Sequence, residues 1–163
     1  MSKINFQNLP NTTTPVNGTN LNSIQVKECA CFQNAGAVQG LTSDSRIPLT
    51  TVILNNTNGK VIANSNGTFT INYTGYVKVS FNIWIHSTAT SRPWLRLRRN
   101  GIVISDVLDD LSSTYGTFSI ANCIVGVSSG DYIEVICSTQ NGETFDVDYG
   151  VGYVTSYITI ELL

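Results

Sequence analysis

Charge is scarce in this chain. Asp, Glu, Lys and Arg together make up 12% of its 163 residues, about half the share usual in a soluble domain. Asn, Thr, Ser and Gly take over the surface role, a composition that favours a turn-rich β protein over helices or disorder. The formal net charge of −2 withholds the basic footprint that general nucleic-acid binding needs. No stretch is apolar for long enough to span a bilayer, and the opening MSKINFQNLPN lacks the apolar centre of a signal peptide. The expectation is synthesis in a cytoplasm without export by a standard signal. Histidine is almost absent, with His86 alone, which leaves little for a zinc site or a catalytic triad. The four cysteines, at 29, 31, 123 and 137, fit neither the usual zinc spacing nor a small secreted scaffold. A single domain of this size buries roughly 70% of its extended surface, so it needs no disulfide framework.

What is present divides into two zones. Residues 1–25 carry Pro10, Pro15 and an Asn/Thr cluster, with apolar side chains at Phe6, Leu9, Val16 and Leu21 that follow no period. Such a segment is either a disordered tail or an arm that lies extended on another protein. From residue 26 to 163 the pattern is strands and turns. Strands are expected near 26–33, 47–54, 60–63, 67–71, 75–86, 94–99, 102–108, 116–127, 131–138, 144–148 and 151–162. Asn-Gly pairs at 58–59, 66–67, 100–101 and 141–142 supply the positive φ angles of tight turns. So many short strands imply an all-β jelly-roll sandwich or barrel.

The strand 75–86 alternates most cleanly, with Val77, Val79, Phe81, Ile83 and Ile85 on one face. Its other face, which includes Trp84 and His86, is expected to be solvated. The closing strand reads differently. Val154, Ile158, Ile160 and Leu162 take one side and Tyr149, Val151, Tyr153 and Tyr157 the other, so a second subunit is the economical cover. The stretch SSGDYIEVIC and the run before it read as a hairpin that sets Cys123 opposite Cys137. Both are expected to be reduced thiols in the core rather than a disulfide.

The residues that carry chemistry point to binding rather than catalysis, and no cofactor is expected. Asp146 and Asp148 share a strand face at about 7 Å, a separation compatible with glycosidase chemistry, but are read as ordinary surface carboxylates. A calcium ion on Asp109, Asp110, Asp146 or Asp148 stays open. In SRPWLRLRR, Trp94, Arg96 and Arg98 share one face, with Leu95 and Leu97 towards the core. A Trp beside guanidinium groups suits a sugar ring carrying phosphate or carboxylate. Ion pairs to Asp106, Asp109, Asp110 or a neighbouring subunit are the simpler account of the same residues.

NGTFTINYTGYVKVSFNIWI, the Arg99-Asn100-Gly101 turn, IVGVSSGDYIEVIC and the terminal YITIELL occur in an order that resembles the tumour-necrosis-factor and complement-globular-head superfamily. The resemblance implies a ten-strand jelly roll forming a compact homotrimer, with Tyr149, Tyr153 and Tyr157 near the three-fold axis. The chain carries no collagen-like Gly-x-y stalk, which sets it apart from animal members.

The stretch FQNLPNTTTPVNGTNLNSIQ is similar to the opening segments of bacteriophage tail-fibre, baseplate and head-fibre proteins. That similarity implies a virion protein whose arm docks on a capsid or tail protein through Phe6, Leu9, Pro10, Pro15, Val16 and Leu21. Its head would face outward on the virion surface, towards host polysaccharide. A bacterial surface or spore-coat module with the same head and a glycan-degrading enzyme are the alternatives.

Overall fold

The computed structural model describes residues 27–87, 93–108, 115–139, 143–148 and 156–163. The expected docking arm, residues 1–25, lies outside them, as do Asp109, Asp110, Tyr149, Tyr153 and the Asn141-Gly142 turn. Among the described residues every regular element is a strand.

The first sheet is organised around β7 (Gly75–Ser87). Along one side of it runs β10 (Tyr115–Val127); along the other lie β13 (Tyr157–Leu162) and, beyond its end, β12 (Phe145–Val147). β1 (Cys29–Gln33) and then β4 (Thr51–Asn55) extend the sheet past β13, and β2 (Val38–Leu41) extends it past β12. The second sheet runs β5 (Val61–Ala63), β6 (Thr68–Ile71), β11 (Asp131–Thr139), β8 (Pro93–Arg99), β9 (Ile102–Leu108), with the two-residue β3 (Ser45–Arg46) also paired to β11. All pairings are antiparallel. The result is the jelly-roll sandwich expected from the strand pattern.

Period-two alternation builds the core. Val77, Val79, Phe81, Ile83 and Ile85 of β7 are all buried and join Leu95, Leu97, Ile133, Val135 and Cys137 of the second sheet in one cluster. Phe32 on β1 and Phe69 on β6 bridge the layers, with ring centroids 5.1 Å apart and a 36° tilt. Asn100-Gly101, with φ of 51° and 78°, closes the β8–β9 hairpin, as an Asn-Gly type I′ turn does. Asn58-Gly59 also has two positive φ values, but it carries the chain from β4 in one sheet to β5 in the other.

One expectation is corrected. SSGDYIEVIC is not half of a hairpin: the turn at Ser128–Gly130 leads from β10 in the first sheet to β11 in the second. Cys123 therefore pairs with Val79, and Cys137 lies beside Leu95 and Ser45. Hydrophobic alternation on both sides of a polar turn is equally consistent with a crossing between layers. In the closing strand Tyr149, Val151 and Tyr153 lie outside the described residues, and Tyr157 stands exposed on the outer face. Ile158 and Ile160 are buried while Thr159 and Glu161 point outward between β7 and β1. Among the described residues β11 is covered on both faces from Ile133 to Thr139.

All four cysteines are free; Cys137 is buried and Cys123 half-buried against the core. Burial pushes both thiols up from their ordinary values, Cys137 most strongly, which suppresses the reactive thiolate. In the native state Cys137 is expected to resist a thiol-directed reagent until the protein unfolds; labelling as fast as that of Cys29 would contradict its placement. Phe69→Ala is expected to cost about 3–5 kcal/mol in urea unfolding, and a loss below about 1 kcal/mol would show that the Phe32–Phe69 contact does not join the layers.

Candidate functional site

The outer face of the second sheet gathers most of the chain's arginines. On β8, Pro93, Leu95 and Leu97 are buried, which turns Trp94, Arg96 and Arg98 outward as the alternation predicts. The antiparallel register then sets Ser138, Ile136 and Glu134 of β11 beside them, in that order. β3 contributes Arg46, opposite Ile136. These strands form the floor of an open cleft of about 470 Å³, walled by Leu41 at the end of β2, Ser45 of β3, and Asp44 and Asn66 from the turns before β3 and β6.

Within the cleft the charges are layered. Glu134 is only 2% exposed, and its Oε2 accepts a 2.5 Å hydrogen bond from Nε of Arg46, whose side chain is 43% exposed. A buried carboxylate thus lies beneath a half-exposed guanidinium. Asp44 follows a different rule. It sits in a left-handed turn at φ 65°, its backbone N–H donating to the Cys137 carbonyl at 2.8 Å. Its Oδ1 accepts from Ser138 Oγ at 2.6 Å and Arg98 Nη2 at 3.5 Å, with Arg96 Nη1 at 3.8 Å. One exposed carboxylate is therefore shared by two arginines. Arg98 Nε is buried and has no acceptor among the described residues.

This arrangement modifies what the sequence suggested. Arg96 and Arg98 do form ion pairs, but with Asp44 from an earlier turn, although Asp106 stands directly across the β8–β9 ladder from Arg96. The Arg96 guanidinium lies 4.9 Å from the centroid of the Trp94 ring. Trp94 thus holds Arg96 in place by a cation–π contact, where the sequence suggested a platform for sugar. Arg46, Asp44 and Glu134 were not singled out from sequence. Glu134 carried a signal, being a charge between Ile133 and Val135 in an apolar run; the two-residue β3 carried none.

The acidic pair on the first sheet separates. Asp148 adopts a left-handed φ of 56° just after β12, and its buried carboxylate accepts from the backbone N–H and hydroxyl of Ser156. Asp146 accepts from the Gly40 N–H at 2.7 Å and faces His86 Nδ1 at 3.3 Å. Neither is an ordinary surface carboxylate, and they do not share a face as a catalytic pair would. His86 is correspondingly half-buried rather than solvated, with 15% of its side chain exposed.

The outer face of the first sheet is mixed. Its middle carries Ser80, Asn82 and Thr159, with Glu161 held by Lys27 and Lys78 at 2.7 and 2.5 Å. Those two ammonium groups hold the Glu161 carboxyl below its usual value. This face also exposes Tyr157 beside Asn82, Tyr76, Ile124 and Leu163 at the other end and, on edge strand β4, Leu54. Tyr157 therefore occupies an exposed position on this face.

The fold has clear structural relatives. It is similar to Eiger tumour necrosis factor from S. frugiperda, with a TM-score of 0.63 and 16% identity over 84% of this chain and 92% of that one. Murine APRIL at pH 5.0 gives 0.62 and 11% over 83% and 99%. The globular domain of zebrafish complement 1qA protein gives 0.56 and 15% over 84% and 97%. The fold is the tumour-necrosis-factor and complement-head jelly roll. At such identities the likeness is one of fold alone. No family model matches the sequence, and no curated protein matches it.

Arg46→Ala strips the counter-charge from buried Glu134 and is expected to destabilise the protein by about 1–3 kcal/mol in urea unfolding. A change within about 0.5 kcal/mol would mean that Glu134 is solvated.

Proposed function

We propose that this chain is a structural protein of a bacteriophage virion: a homotrimeric jelly-roll head joined to the capsid or tail by residues 1–25, acting by adhesion to host surface polysaccharide rather than by turnover. The observation that carries the self-association is the set of exposed apolar side chains on the outer face of the first sheet. Tyr76 and Ile124 are each 62% exposed, Leu163 52% and Tyr157 40%. Large apolar side chains on one face suit contact with another copy; between them lie Ser80, Asn82, Thr159 and the ion pairs of Glu161 with Lys27 and Lys78. The polar cleft lies on the opposite sheet, where it stays outward when the first sheet is covered. Three heads on one base raise apparent affinity through effective concentration, so weak contacts to a repetitive surface suffice.

The virion reading rests on the likeness of FQNLPNTTTPVNGTNLNSIQ to the opening segments of phage fibre and baseplate proteins. An arm with spaced apolar residues suits an extended docking mode. Antibody raised against the head is expected to label purified particles. Deleting residues 1–25 is expected to leave a folded head that is missing from particles; undiminished incorporation of the shortened chain would contradict the docking role.

A further inference from the structure

We propose that the cleft between β3, β11 and β8 binds an oxyanion, a phosphate or carboxylate borne by an acidic polysaccharide, and that Asp44 occupies the ligand's place when the cleft is empty. The proposal rests on the adhesion reading above and gives it a site and a ligand class.

The arginines around the cleft are unequally held. Among the described residues Arg46 is matched by Glu134, whereas Arg96 and Arg98 both pair with the carboxylate of Asp44. Asp106 stands across the ladder from Arg96, not from Arg98. The shared carboxylate is also a loose partner: its side chain is 62% exposed and it stands 3.5 and 3.8 Å from the two arginines, beyond the distances of strong charge-assisted bonds. Arg98 meanwhile keeps its Nε buried and without an acceptor among the described residues. A guanidinium offers donors in a fixed fork that matches the oxygens of a phosphate or carboxylate, and here part of the fork is unused. An incoming oxyanion can take Nη2 of Arg98 from Asp44 and supply the acceptor that Nε lacks.

The surroundings allow the exchange. Asp44 retains its backbone bond to Cys137, so releasing the arginines, together with the Ser138 hydroxyl that shares its Oδ1, need not unfold its turn. Arg96 is held by Trp94 and stays in place as the carboxylate swings away. Glu134 does not repel the ligand as a bare charge, because Arg46 covers it. The cleft volume, about 470 Å³, is within the range of small-ligand sites, and Ser45 and Asn66 on its wall suit the hydroxyls of a sugar.

The test is calorimetric titration of the full chain with inorganic phosphate, glucuronate and glucose. Phosphate or glucuronate is expected to bind and neutral glucose to give no comparable signal; the tighter of the two anions identifies a phosphate-bearing or a uronate-bearing polymer. Asp44→Asn removes the internal competitor and is expected to tighten anion binding roughly two- to fivefold. Arg98→Gln is expected to weaken it by roughly tenfold or more. Arg98→Lys, which keeps the charge and loses the fork, is expected to weaken it as well, and circular dichroism of each variant establishes that it is folded. Equal binding of glucose and the anions, or an Asp44→Asn variant that binds no more tightly than the parent, would overturn the proposal. Anion binding by a chain that is absent from particles would uphold the cleft and remove the virion role; display on particles without anion binding would do the reverse.

Discussion

The structure depends on one constraint: β7 and β8 spend every second residue on a common core. Val77 to Ile85 from one layer and Leu95 and Leu97 from the other are buried, and that choice fixes what each strand shows outside. On β8 the outward set is Trp94, Arg96 and Arg98; on β7 it is Tyr76, Lys78, Ser80, Asn82, Trp84 and His86. A slip of one residue in either strand would exchange the two sets. The two outer faces are therefore as well determined as the core, although they are chemically unlike each other.

On the second sheet the charges also organise the backbone. β3 is only two residues long, too short to hold its place by ladder hydrogen bonds alone. It is fastened by Arg46 over Glu134, by the Asp44 N–H on the Cys137 carbonyl, and by the close approach at Gly67. There, at φ +81°, a Cβ would come within 3.2 Å of the Arg46 Cβ. Buried ion pairs contribute less to net stability than to fixing one arrangement, since desolvation offsets much of their attraction. In this protein the arrangement fixed is the wall of the cleft.

The strand pattern was legible because alternation in β7 and β8 is nearly perfect and Asn100-Gly101 is a strong local turn signal. The outward grouping of Trp94, Arg96 and Arg98 followed from the same period. What the sequence did not disclose was pairing between distant segments. Asp44, not Asp106, meets the two arginines because β3 docks on β11, a contact with almost no local signature. The split of Asp146 from Asp148 depends on one left-handed residue, and Asp is tolerant enough of that conformation to give no warning. The turn at Ser128–Gly130 looked like a hairpin because alternation reports which face is buried, not which sheet the strand joins.

The proposed assembly ties these features together: one sheet turned towards its copies, the other towards a ligand. The most direct measurement is the sedimentation mass of the full chain at micromolar concentration, compared with that of a Tyr76→Ser/Tyr157→Ser variant. The account predicts three times the chain mass for the parent and a shift towards a single chain for the variant. A parent that sediments as one chain, or a variant that remains trimeric, would contradict it.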